Sequence, residues 1–218
     1  MSNKAIIAGA TGLIGSKLLN ILLANDEYSH ITSLVRKETG VAHHKLNEVL
    51  VNFDQLDKYE KEINGHAFFC CTGTTKKKTP NLDKYFEIEH DYPVNLAQLA
   101  LKNGVKQYHF VSSIGADKDS STYYTKFKGQ TEDDLQQLHF KTLHIYRPSF
   151  LTGDRNESRP MERIIVGLMS VFNPLFIGSL KKYRSIPAQT VAEAMYNESL
   201  KNDEGVFIHS SDNIKQIA

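Results

Sequence analysis

The sequence predicts an α/β fold, a doubly wound parallel sheet, and two observations carry that reading. Short apolar runs of strand length alternate with helix-forming stretches along most of the chain. At the first strand-to-helix junction, Gly9, Gly12 and Gly15 stand in the spacing G-x-x-G-x-x-G. The alternation builds right-handed βαβ units, whose helices cover both faces of one sheet.

The elements follow in order. Ala5-Ile6-Ile7 reads as a buried first strand, and Leu18 to Leu23 as the body of the helix after the glycines. Ile31 to Arg36 is the second strand and Glu48 to Asn52 the third. Ala67 to Cys71 is the fourth, nearly all apolar, as the centre of a parallel sheet requires. Leu82 to Asn103 reads as one long helix closed by Gly104. Gln107 to Ser112 is the fifth strand, Tyr124 to Leu138 a helix and Thr142 to Tyr146 the sixth strand. Ile186 to Ala194 reads as a helix entry with Thr190 as its cap, and Val206-Phe207-Ile208 as the last strand. No Pro/Gly/Ser-rich stretch or charge block divides the chain, so residues 1–218 are expected to form a single domain.

Composition removes several function classes. A net charge of +1 argues against a dedicated nucleic-acid binder. Cys70 and Cys71 are adjacent in a strand, point to opposite faces and cannot staple distant segments, which favours a reduced, cytoplasmic setting. The amino end lacks a signal-peptide pattern, and no apolar run is long enough to span a bilayer. His43 and His44 are adjacent rather than spaced as ligands, so no metal is expected.

The glycine spacing is what a bound dinucleotide needs. Gly9 permits the tight turn, Gly12 lets the backbone approach the pyrophosphate, and Gly15 lets helix and strand pack closely. The helix start adds free N–H groups and a positive dipole end. Gly9, Thr11, Gly12, Leu13, Ile14 and Gly15 are therefore the first expected cofactor contacts in a Rossmann-type fold.

Ligands of such sheets bind at the carboxyl ends of the strands, so the residues just after each strand matter most. After the second come Arg36 and Lys37, placed to pair with the 2′-phosphate of NADP; a solvated basic pair is the bland alternative. Asp54, after the third, can accept from adenine or cap the next helix. Thr72 and Gly73 give a small loop beside the cofactor's ribose and pyrophosphate. Lys76-Lys77-Lys78 reads as a solvated loop, with attraction of an anionic substrate as the alternative.

After the fifth strand comes Ser112-Ser113, and then Tyr124 with Lys128 at i and i+4 on one helix face. An ammonium there can lower the phenol's pKa, making Tyr124 a proton donor or acceptor, and the Ser113 hydroxyl can hold a substrate oxygen. A Y-x-x-x-K string alone is weak, but this is the only one in the chain and it opens the helix after Ser113. Tyr123 competes as the phenol, though its i+4 partner is Phe127.

With these residues in view, the chain resembles an atypical or extended short-chain dehydrogenase/reductase, and within it the NAD(P)-binding proteins similar to the HIV Tat-interactive oxidoreductase. The resemblance rests on Gly9-Ala10-Thr11-Gly12, Leu34-Val35-Arg36, Cys71 to Thr75, Ser112 to Asp117, Tyr124 to Gly129 and Arg147 to Arg155. It implies a catalytic set of Ser113, Tyr124 and Lys128, with Tyr124 and Lys128 also touching cofactor. It further implies that the loop from Pro148 covers the nicotinamide, and that residues 151–200 form a small helical substrate-side region. The expected activity is that of an NADP-dependent oxidoreductase acting on a small carbonyl or alcohol. A non-catalytic NADP-binding redox sensor or regulatory protein is the second class. The apolar stretch Met161 to Leu180 with the basic residues up to Arg184 admits membrane-surface contact as an alternative. The substrate and the oligomeric state are open.

Overall fold

The structure, a computed structural model, describes residues 3–153 and 183–218. The strands are β1 (Asn3–Ala8), β2 (Tyr28–Val35), β3 (Leu46–Leu50), β4 (Ala67–Cys70), β5 (Gln107–Val111), β6 (Thr142–Arg147), β7 (Leu151–Thr152), β8 (Ile186–Pro187) and β9 (Gly205–Ser210). Seven form one parallel sheet in the order β3-β2-β1-β4-β5-β6-β9, and β7 pairs with β8 separately. The helices are α1 (Leu13–Ala24), α2 (Leu82–Phe86), α3 (Tyr92–Lys102), α4 (Tyr123–Gln137), α5 (Ala188–Ser199) and α6 (Ser211–Ile217).

Period-2 alternation along the strands creates two cores. Ala5, Ile7 and Phe69 face Leu18 and Leu22 of α1 and Val191, Ala192 and Met195 of α5. Ile6, Ala8, Phe68 and Phe110 face Leu96, Ala97 and Ala100 of α3 and Leu135 of α4. Each fully buried Val, Leu, Ile, Phe or Met among them contributes about 1.5–3 kcal/mol of burial free energy. β4 is buried along its whole length, as its central place demands. Cys70 belongs to one core and Cys71 packs against the other, so the adjacent thiols do point to opposite faces, and both are free.

The chain order reverses between β1 and β4, which leaves a crevice outside their carboxyl ends. That crevice is the place for a ligand.

Several expected boundaries move. The expected helix from Leu82 to Asn103 is interrupted by a π turn at Glu87–Asp91 and ends at Lys102, with Gly104 just beyond in the left-handed region at φ 76°. Thr190 does not cap α5: the helix starts at Ala188, and Pro187, whose fixed φ suits a helix entry, holds the cap position. β3 lies two residues earlier than Glu48 to Asn52, because Asn52 leaves the sheet to cap the 3₁₀ helix Phe53–Glu62 by accepting from Asp54 N. Asp54 is therefore not that cap. Met161 to Leu180, and most of the 151–200 substrate-side region, lie outside the described residues.

Candidate cofactor and active site

The glycine turn follows from close approach. Gly9 has φ 86°, and a Cβ there would stand 2.4 Å from Cys71 O in the loop after β4. A Cβ on Gly15 would lie 2.1 Å from Gly9 O, so α1 packs directly on the turn. Gly12 differs: its nearest neighbour would be Gly9 O at 3.2 Å, and it borders open space. Gly12 also occupies the cap position of α1 and offers no capping side chain, so the first N–H groups of the helix are left for a ligand.

That open space is a cleft of about 550 Å³ over the carboxyl ends of β1, β4 and β5. Thr11, Gly12, Leu13 and Ile14 border it from one side, and Thr72 and Gly73 from another. Tyr124 and Lys128 of α4 close it, together with Ser112, Glu89 and Leu151. A glycine cradle, an uncapped helix start and a phenol-ammonium pair thus share one cleft, and they fit a dinucleotide.

The two tyrosines separate. Tyr124 lines the cleft, whereas Tyr123 lies on an apolar surface with Leu82, Phe86 and Phe127, its ring 5.3 Å from Lys76 Nζ. Lys128 is buried, donates to Val111 O at 3.0 Å and lies over the Phe110 ring. Burial is the largest single influence and works to lower its pKa, but the Glu89 carboxylate 2.9 Å away, together with Tyr124 and Cys70, outweighs it and holds the ammonium above the ordinary lysine range. Burial pushes the Cys71 thiol, which also borders the cleft, upward.

The two serines also separate. Ser112 borders the cleft, but its hydroxyl donates to Glu132, which Arg147 clamps from β6. Ser113, the expected catalytic serine, is not among the residues that line the cleft; it is buried, and its Oγ has no hydrogen-bond partner among the described residues. An unpartnered buried hydroxyl is costly unless something else fills it.

Other expected contacts lie outside the walls of this cleft. Arg36 and Lys37 are exposed directly after β2. Asp54 accepts from Lys84 at 2.7 Å and from the Tyr92 hydroxyl; the Lys84 hydrogen bond is the main force holding its carboxyl below the usual range. Pro148 is buried and accepts from Ile114 N at 2.9 Å, which pins the loop after β6 beside Ser113.

Residues 9–198 match the NAD(P)H-binding family. The chain belongs to that family. It is 35% identical over 214 residues to "Protein HTATIP2" of Rattus norvegicus, covering 94% of this chain and 85% of that protein. It is 31% identical over 208 residues to "Protein fmp52, mitochondrial" of Aspergillus niger, covering 92% and 88%. Among solved structures, the Bordetella bronchiseptica enzyme WbmH in complex with NAD+ superposes with a TM-score of 0.73 at 17% identity, covering 97% of this chain and 76% of that one. A UDP-N-acetylglucosamine 4-epimerase from Methanobrevibacter ruminantium gives 0.71 at 15%, over 96% and 76%. At such identities these two show the fold alone. No helix among the described residues is long and apolar enough to cross a membrane.

Sequence reasoning missed Glu89 and Glu132. Each is a buried acid inside a helical segment, and its basic partner is remote in sequence. In a charged run such as Glu87-Ile88-Glu89-His90-Asp91, nothing marks the one carboxylate that turns inward.

Proposed function

We propose that this NAD(P)-binding protein is an NADP-dependent oxidoreductase acting on a small carbonyl or alcohol. The observation that carries the reading is the shared cleft: Tyr124 and Lys128, one helical turn apart, border the same space as the uncapped glycine turn. When bound, the nicotinamide supplies or takes the hydride. The chain's own residues do the rest. Tyr124 Oη gives a proton to, or takes one from, the substrate oxygen. The Lys128 ammonium stabilises charge on that phenol and holds the cofactor ribose. Ser113 Oγ, otherwise unpartnered, donates to the substrate oxygen as charge builds on it.

Arg36 and Lys37 support the choice of NADP, since both are exposed cations at the end of β2 in the position that faces the adenosine ribose. Calorimetric titration with NADPH and NADH tests this: NADPH should bind more tightly, and Arg36→Ala should erase most of the difference. Equal affinities in the wild type would refute the choice. The free thiols of Cys70 and Cys71 support a reducing compartment, which we take to be the cytoplasm. The fungal relatives named mitochondrial mark the alternative, and cell fractionation decides between them. NADPH binding without turnover of any carbonyl or alcohol in a broad screen would favour the redox-sensor class instead.

A further inference from the structure

Glu89 stands in the π turn Glu87–Asp91 that interrupts the helical segment between α2 and α3. Such turns insert one residue into the helical register, re-aim the side chains and recur at functional sites. Glu89 is 1% exposed. Its Oε1 accepts from Thr74 N at 2.6 Å, in the loop after β4 that borders the cleft. Its Oε2 lies 2.9 Å from Lys128 Nζ and accepts no aligned hydrogen bond. The groups that act electrostatically on that ammonium include Glu89 from the π turn, Tyr124 from its own helix, Cys70 from β4 and Cys71 just after it. Glu89 is the only carboxylate among them.

Burying a carboxylate and an ammonium is expensive, and an apolar pair of similar volume would stabilise the fold equally well or better. The charge is explained if the site needs it. We propose that Glu89 is a positioning residue of the proton-transfer site: it keeps the Lys128 ammonium charged and fixed at the cleft. Through Thr74 N–H it also ties that ammonium to the loop beside the cofactor. This rests on the roles given above to Tyr124 and Lys128. Without the Glu89 charge, burial acts on Lys128 against weaker opposition, and the lysine should titrate at lower pH.

Glu89→Gln tests it, because the amide keeps the shape and the acceptor for Thr74 N–H while removing the charge. In the full chain with ¹³C-labelled lysine, the Lys128 resonance is identified by its loss in Lys128→Met and followed against pH. Its midpoint should fall by about one unit or more in Glu89→Gln. On a carbonyl that the wild type reduces, kcat should drop about 10-fold or more while KM for NADPH stays within about 3-fold. Glu89→Asp should recover part of both. Lys128 titrating at the same pH in Glu89→Gln as in the wild type overturns the proposal. If no carbonyl is turned over, the oxidoreductase reading fails, and the lysine titration still decides the role of Glu89. If Glu89→Gln does not fold, Glu89→Asp carries the same titration, with a smaller downward move expected and no move overturning the idea.

Discussion

Arg147, the last residue of β6, forks onto Glu132 in the middle of α4, with Nε 3.0 and 3.1 Å from the two carboxylate oxygens and Nη2 closing on Oε2. Ser112 donates to the same carboxylate, so one buried acid locks the end of β5, the end of β6 and the helix that carries Tyr124 and Lys128. The same relationship engages the Ser112 hydroxyl, while the buried Ser113 Oγ has no hydrogen-bond partner among the described residues. Removing Glu132 therefore tests the frame rather than the chemistry. Glu132→Ala should cost about 2–3 kcal/mol in urea unfolding, below the roughly 3–5 kcal/mol of a fully buried pair because Arg147 remains partly solvated. Cofactor affinity should weaken less than in any glycine-turn variant. An unchanged denaturation midpoint would show that the fork contributes nothing.

Gly12 and Gly15 should fail in different ways. A side chain at Gly15 would collide with Gly9 backbone, so Gly15→Val should prevent folding. Gly12 has room in the fold but faces the cleft, so Gly12→Val should keep a cooperative melt and lose NADPH binding. Circular dichroism melts and calorimetry on the two proteins separate these outcomes. Normal NADPH affinity in Gly12→Val would place the ligand elsewhere.

Tyr124→Phe removes one hydroxyl from a half-exposed side chain, so stability and NADPH affinity should barely change. Turnover of any carbonyl found by screening should fall about 100-fold or more, the scale of a lost proton-transfer group. Lys128→Met should lower both turnover and cofactor affinity. Tyr123→Phe should be silent, since Tyr123 sits with Leu82 and Phe127 outside the cleft. Full activity in Tyr124→Phe would remove the assignment.

The strand alternation and the glycine spacing carried the fold, because both are local signals: period 2 along a strand, fixed offsets in a turn. Ser113, Tyr124 and Lys128 could be named because they follow one strand and open one helix. Glu89 and Glu132 could not, since their meaning lies in partners that only the packed sheet brings near. The π turn was hidden for a related reason. Pro93, in the first turn of α3, is the one local mark of a break in Leu82 to Asn103, and nothing local marks the turn before it, where Glu89 meets Lys128 in a tertiary contact that propensity does not see. Of the two roles open to Asp54, the structure removes one, the cap. An acid at a helix start suits a cap, but Asn52 two residues earlier already accepted that N–H.

One face of the sheet carries a cluster of three buried histidines, none of which lines the cleft. His144 Nδ1 meets His209 Nε2 at 2.9 Å, and His209 Nδ1 meets Asn213 Oδ1 at 2.9 Å. His109 stacks on His144 and sits between Gln107 and the Tyr146 hydroxyl. In the neutral state His209 donates from Nδ1 to Asn213 and accepts at Nε2 from His144 Nδ1–H, whereas an extra proton on the pair puts an N–H on the buried His144 Nε2, which has no partner among the described residues. Burial holds all three below the ordinary imidazole range, His144 at about 3. Folded pKa values below the unfolded value of about 6.5 mean that the unfolded chain binds more protons as the pH drops. The stability these histidines give is thus complete above about pH 7 and is lost as the pH falls through 6.5, by up to about 1.4 kcal/mol per unit for each fully buried ring. Urea midpoints between pH 7 and pH 5, above the range of most carboxylates, should fall steeply. His144→Gln should flatten that slope. Identical slopes in wild type and His144→Gln would show that the buried pair takes up its proton in the folded state as readily as in the unfolded chain.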